Sequence, residues 1–189
     1  MMTKHLILAK HSVPEIELDR PANLWKLSEQ GRVGARKLAE LLASFAPEVL
    51  LSSNEPKAKE TAAILASQLH LDVDIIADLH EHDRSNVPYL SHDEFQASIR
   101  EFFQKPHELV FGKETADQAY SRFYRVIHSI LIEHQDKTVV VVTHGTVISL
   151  FVSRLTGSSP LELWNSLGLP SFVALDLGSS AVIVRDTII

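Results

Sequence analysis

The chain has no cysteine. Disulfides, thiolate zinc sites, iron–sulfur clusters and cysteine nucleophiles are therefore excluded. Glycine is scarce, at seven of 189 residues. None of them falls into Gly-x-x-x-x-Gly-Lys-Ser/Thr, Gly-x-Gly-x-x-Gly or Gly-x-Ser-x-Gly, so neither a nucleotide-binding loop nor an α/β-hydrolase elbow has support. No apolar run reaches the ~18 residues of a membrane span. The stretch Leu6-Ile7-Leu8-Ala9 is too short for a secretory signal. A cytoplasmic protein without a membrane partner is the expectation. Positive charge is in the minority, with 18 Lys and Arg against 24 Asp and Glu, a net charge of −6. A nucleic-acid partner is not expected from that balance, and an anionic small substrate requires cations gathered locally. Hydrophobic residues at 45% and charged residues at 22% are ordinary for a globular chain. The length implies one domain over 1–189, with room for a small insertion. Ten histidines are the compositional oddity.

The hydrophobic pattern alternates between short apolar runs and helical periods. Leu6 to Ala9 reads as a buried strand feeding a loop with Pro14 and Pro21. Ser28 is placed to cap a helix with an apolar stripe at Val33, Leu38, Leu41 and Leu42. Val49-Leu50-Leu51 is a second strand, followed by a helix with Ala58, Ala62, Leu65 and Leu69 on one side, then a third strand at Val73, Ile75 and Ile76. Residues 79–113 are irregular, with a short helix near 92–104, and suit an excursion over a pocket. Thr115 can cap a long helix to about His134, with Tyr120, Phe123, Val126, Ile127, Ile130 and Leu131 inward. The β-branched run Thr138 to Val142 is too dense for a half-exposed strand and belongs at the sheet centre. Val147 to Leu155 is helical, and strands near 171–176 and 181–185 flank a hairpin turn at Gly178-Ser179-Ser180. This order predicts an α/β fold: a three-layer α/β/α domain with a mostly parallel mixed sheet, carrying an antiparallel edge.

In such sheets ligands bind beyond the carboxyl ends of the strands. Three strands end in polar residues: Lys10-His11, Ser52-Ser53 with Lys57 in the next helical turn, and Thr143-His144-Gly145. Two imidazoles, two ammonium groups and the free N–H groups of two helix N-termini would suit a phosphate-bearing anion. Each residue alone has a plainer reading. Lys10 and Lys57 are ordinary surface lysines in isolation, and Glu81 is one charge in a polar loop. The histidines stand out because both sit where an apolar strand stops.

The order of these motifs resembles the histidine phosphatase superfamily, which includes phosphoglycerate mutases and acid phosphatases. Lys10-His11-Ser12 stands at the family's Arg-His-Gly, and Leu27-Ser28-Glu29-Gln30-Gly31 matches its next helix start. Ser52-Ser53-Asn54-Glu55-Pro56-Lys57-Ala58-Lys59-Glu60-Thr61-Ala62 matches Ser-Ser-x-x-x-Arg-Ala-x-x-Thr-Ala, with lysine for arginine. Leu79-His80-Glu81, Gly112-Lys113-Glu114-Thr115 with Arg122, and Val139 to Gly145 follow in order. The resemblance implies a phosphoglycerate mutase-like fold and a phosphomonoester hydrolase. His11 is then the nucleophile, Glu81 the general acid and base, and His144 a third catalytic residue. Lys10, Lys57, Ser12 and Gly145 would bind phosphate, with His80, His82 and Asp83 at the pocket rim. No metal and no cofactor are implied.

Both family arginines are lysines here, which keeps the charge and loses the planar fork. Ser12 replaces a glycine. A family member that binds a phosphorylated ligand or partner with little turnover is the alternative. A mutase fits less well, since the chain lacks long insertions. His80-Glu81-His82-Asp83 invites a metal site, but the metallo-β-lactamase pattern needs Asp at Arg84, and His-Glu-x-x-His is absent. The expected partner is a small phosphorylated substrate, or a phosphoprotein, with a monomer or homodimer both open. Trp25, Tyr89, Phe102, Phe103 and Phe111 are available for an apolar wall, and packing is the simpler role for most of them.

Overall fold

The computed structural model describes residues 4–177 and the backbone of 182–187. Six strands among the described residues form one sheet: β1 (His5–Lys10), β2 (Val49–Ser53), β3 (Val73–Ile76), β4 (Val139–Thr143), β5 (Ser171–Asp176) and β6 (Val182–Thr187). Their order is β3-β2-β4-β1-β5-β6. The first four run parallel, β5 runs antiparallel to β1, and β6 antiparallel to β5. The mixed sheet and its antiparallel edge are thus as the sequence implied. The hairpin turn expected at Gly178-Ser179-Ser180 lies outside the described residues.

Helices cover both faces. One face carries α1 (Glu29–Ala43) and α2 (Pro56–Leu69), whose Ala35, Leu38, Leu42, Ala58, Ala62 and Leu65 pack on Ile7, Ala9, Val140 and Val142. The other carries α4 (Ala116–Glu133), α5 (Gly145–Thr156) and α6 (Pro160–Ser166); Phe123, Ile127, Ile148 and Leu163 meet Leu6, Leu8, Val139 and Val141. Alternate β4 residues thereby serve opposite layers, and all five are buried. That is why a run of β-branched residues sits there without alternation. An α3 helix (His92–Gln104) stands in the segment before α4.

Local chemistry fixes the helix starts. Ser28 Oγ accepts the Gly31 N–H at 3.0 Å, as an N-cap does. Capping boxes begin α3 at Ser91 and Glu94 and α4 at Thr115 and Gln118. The stripe of α1 differs from the sequence expectation. Gly31, Ala35, Leu38, Ala39 and Leu42 face inward, while Val33 and Leu41 are exposed. A Cβ at Gly31 would come within 2.1 Å of the Val13 carbonyl oxygen. The close approach of α1 to the strand exit at that point selects small residues and rotates the larger ones outward. Helix α6 was not foreseen; Ser159 caps it and Pro160 opens it, and its seven residues are too few for a periodic signal. Among the described residues no helix is long and apolar enough to cross a membrane.

Candidate functional site

The carboxyl ends of β1, β2 and β4 converge, since Lys10 pairs in register with Thr143 and Ser52 with Val142. His11 leaves β1 with its N–H still bonded to the Thr143 carbonyl at 2.9 Å. Its ring lies 5.1 Å from that of His144, centre to centre, at 60°. His11 is 7% exposed and His144 fully buried. The His11 Nδ1 lies 2.7 Å from the Ser12 carbonyl oxygen. A carbonyl can only accept, so Nδ1 carries the proton and Nε2 keeps a free lone pair. Burial pushes the His11 pKa well below the ordinary value, and Lys57 and His144 push it further. His144 is lowered in the same way, first by burial and then by Lys57. Both rings are neutral at pH 7.

His144 Nε2 meets Ser53 Oγ at 2.8 Å and lies 3.6 Å from Glu55 Oε1. Glu55 had no assigned role in the sequence, yet it is a hub. Its Oε2 accepts from Lys57 Nζ at 2.5 Å and its Oε1 from the Glu81 N–H at 3.0 Å. Lys57 also donates to the Ala22 carbonyl at 2.7 Å. Lys10 Nζ donates to the Leu167 carbonyl at 2.9 Å. Burial pulls the Lys10 pKa down to about 8, Glu81 opposing and Arg84 assisting. A Cβ at Gly145 would sit 3.1 Å from Lys10 Cε, so glycine there lets the lysine stem lie across the start of α5.

Glu81 reaches the same helix start. Its carboxylate accepts from the N–H groups of Thr146 at 3.2 Å, Val147 at 3.3 Å and His82 at 2.9 Å. Burial alone would raise its pKa, but His144, Arg84 and the His82 N–H outweigh burial and the net direction is down. The helix N-termini expected to stand free are therefore engaged: α5 by Glu81, and α2 through the Lys57 N–H bonded to the Trp25 carbonyl at 3.1 Å. A staple holds Glu81 in place. Arg122 donates to the carbonyls of Asp78, His80 and Glu81 at 2.7, 3.0 and 3.1 Å, and to Glu114 Oε1 at 2.6 Å.

The remaining sequence candidates lie at the margins. The Ser12 N–H donates to Thr61 Oγ1 at 3.1 Å. Its hydroxyl sits against α1, where a Cβ on Gly34 would lie 2.7 Å from Ser12 Oγ. His80, His82 and Asp83 line a hollow with Asn23, Glu55, Glu81 and Arg84. The His82 ring, however, is buried between Phe102 and Phe111, at 4.2 and 4.8 Å between ring centres. Phe102, Phe103 and Phe111 pack in a satellite core, whereas Trp25 and Tyr89 line an open cleft. Six of the seven buried polar atoms that lack a partner among the described residues gather around this centre: Ser12 Oγ, Asn23 Oδ1, His82 Nδ1, Arg84 Nη1, His144 Nδ1 and Thr146 Oγ1. Asn23 and Arg84 were not singled out from sequence. The signal was weak: each is a lone polar residue in an unpatterned loop. Among the described residues, no group of three His, Asp or Glu side chains is arranged to hold a metal ion.

Residues 19–183 match the histidine phosphatase superfamily (branch 1), a stretch that begins after His11. The chain belongs to that superfamily. It is 23% identical over 134 residues to the uncharacterized phosphatase PhoE of Bacillus subtilis (strain 168), covering 71% of this chain and 66% of the relative. It is 26% identical over 145 residues to phosphoserine phosphatase 1 of Hydrogenobacter thermophilus, covering 74% and 68%. In fold it is similar to the phosphoserine phosphatase of Entamoeba histolytica, solved in complex with 3-phosphoglyceric acid, with a TM-score of 0.80 at 16% identity over 98% of each chain. The phosphoglycerate mutase-like architecture expected from sequence is the one found.

Proposed function

We propose that the chain is a phosphomonoester hydrolase acting through a phosphohistidine on His11. The observation that carries this reading is the His11 ring: neutral, nearly buried, proton held on Nδ1 by the Ser12 carbonyl and lone pair free on Nε2. A neutral imidazole is a competent nucleophile near pH 7. Names of the two curated relatives, both phosphatases, support the same chemistry. In the first step Nε2 forms the N–P bond as the ester P–O bond breaks, and the departing oxygen takes a proton from Glu81. In the second, water attacks the phosphohistidine and gives its proton back to Glu81, and orthophosphate leaves a regenerated imidazole. The resting Glu81 is ionised. A phosphate dianion beside it raises its pKa, so the carboxyl takes up its proton as substrate binds. Positioned acid–base transfer of this kind contributes ~10²–10⁴ in rate. Lys10, Lys57 and His144 surround the phosphoryl oxygens; the two ammonium groups stand where other phosphoryl-transfer sites use a metal, and the neutral His144 ring donates a hydrogen bond.

A second reading has its own observation. Glu55 neutralises Lys57 within a buried pair, which leaves less positive charge to stabilise the transferring phosphoryl group and so favours little turnover. Hydrolysis of an aryl phosphate across pH 5–8, with chelator present, separates the two. Wild type is expected to turn over, with His11→Ala lower by ~10³ or more, and acid-labile label retained on His11 after rapid quenching. A wild type no faster than His11→Ala would reject the hydrolase and leave the binder.

A further inference from the structure

We propose that Arg84 and the cleft beside it form a second half of the substrate site: the guanidinium grips the phosphoryl group, and the cleft takes a flat apolar alcohol moiety. This rests on the phosphomonoester reading above and names the substrate class for it.

Arg84 lies three residues beyond Glu81 and lines two cavities at once. One is the hollow it shares with Asn23, Glu55 and Glu81. The other is a cleft of about 220 Å³ walled by Ile16, Trp25, Val87, Tyr89 and Phe95, among others. Arg84 Nη1 is buried and has no hydrogen-bond partner among the described residues. No carboxylate there forms an ion pair with this guanidinium. Its Cζ rests 4.5 Å from the Phe95 ring centre. Stacking of that kind covers the guanidinium faces and leaves its in-plane N–H groups free. The Arg84 charge is also felt at Lys10, Lys57, Glu81 and His144. Arg84 is thus the planar fork that the lysines at 10 and 57 do not provide.

The cleft adjoins the same centre. Ala22 lines it and gives its carbonyl to Lys57, and Trp25 lines it and gives its carbonyl to the Lys57 N–H. The Trp25 indole is fixed, donating to the carbonyls of Glu17 at 3.0 Å and Arg20 at 3.1 Å. A dry cavity of ~150 Å³ holds one benzene, so this cleft has room for a ring system somewhat larger. Its charged lining is Arg20 and Arg84, with no Asp or Glu. Arg20 is already paired with Glu17. Such a wall attracts an anion joined to an apolar body and repels an ammonium group. An aryl phosphate fits; phosphoserine, with its ammonium, fits poorly.

Binding of 1-naphthyl phosphate, phosphoserine and orthophosphate to the His11→Ala protein, by calorimetry, tests this without requiring turnover. Naphthyl phosphate is expected to bind at least tenfold tighter than phosphoserine. Arg84→Gln should weaken all three by tenfold or more, with Arg84→Lys intermediate because charge returns without the fork. Trp25→Phe should weaken naphthyl phosphate alone. Orthophosphate affinity within twofold of the parent in Arg84→Gln, or equal affinity for the naphthyl and seryl esters, overturns the proposal. Hydrolysis by the His11-bearing protein is read in parallel. If turnover is absent while the binding pattern holds, the hydrolase reading fails and the recognition site stands.

Discussion

Lysine in place of arginine changes when the site is charged as well as how it grips. Arginine stays protonated throughout the working range, whereas Lys10, desolvated beneath Gly145 and Leu167, has its pKa pulled down to about 8. It is an ammonium below that value and a neutral amine above it. Phosphate affinity therefore falls as pH rises through about 8, and kcat/KM, which reports the free protein, should carry an alkaline limb there. Lys10→Arg is expected to move that limb upward beyond pH 9; a limb that stays put assigns it to another group. His11 and His144 were legible from sequence because an apolar strand stops at each. Lys57 and Glu81 were legible only as parts of an ordered motif series. Glu55 was not, since a carboxylate two residues from a lysine looks like any exposed pair until burial brings it to Lys57, Glu81 and His144 together. Arg84 was read only as the residue that spoils a metal pattern.

Elements place these residues through a few anchoring contacts between distant segments. The segment after β3 carries Glu81, and α4 holds it through Arg122, whose guanidinium spans the carbonyls of Asp78, His80 and Glu81 and the Glu114 carboxylate. Hydrogen bonds to a charged group contribute about 1.5–3 kcal/mol each when one side is buried. Arg122→Ala should lower kcat tenfold or more while leaving the affinity of orthophosphate for the His11→Ala background within about twofold. Arg122→Lys should recover part of kcat only, since three carbonyls and a carboxylate need a fork. Equal losses in kcat and in phosphate affinity would make Arg122 a general stabiliser instead of a positioning residue for Glu81. Strands and capped helices were readable because Ser28, Thr115 and the β4 valines have local causes. The rotation of α1 and the existence of α6 were not. Those depend on what α1 approaches at Val13 and on a helix of seven residues, neither of which leaves a periodic trace.

At the scale of the molecule, the sheet order puts β1, β2 and β4 side by side at its centre, so that strand ends far apart in sequence meet where Lys10, Lys57 and Arg84 stand against Glu55 and Glu81, a small local excess of positive charge on a chain of net charge −6. On the proposed reading an anionic ester would approach against the net charge and be captured by the local one. Between ~0.01 and ~0.1 M salt the screening length falls from ~30 to ~10 Å, which removes the distant repulsion before the contact attraction. A modest rise of kcat/KM with salt over that range is expected for a dianionic substrate, followed by a fall at higher salt; a steep monotonic fall would mean the local charge dominates at long range as well. The two lysine ammonium groups are already bonded to backbone, at Ala22 ahead of α1 and Leu167 ahead of β5. An ammonium has three N–H donors, so Lys10 keeps two and Lys57 one beyond the bonds already made. A phosphate bound there would share each ammonium with a carbonyl that stays in place. On the proposed reading such sharing would loosen the hold on every phosphate and so would also ease release of the product.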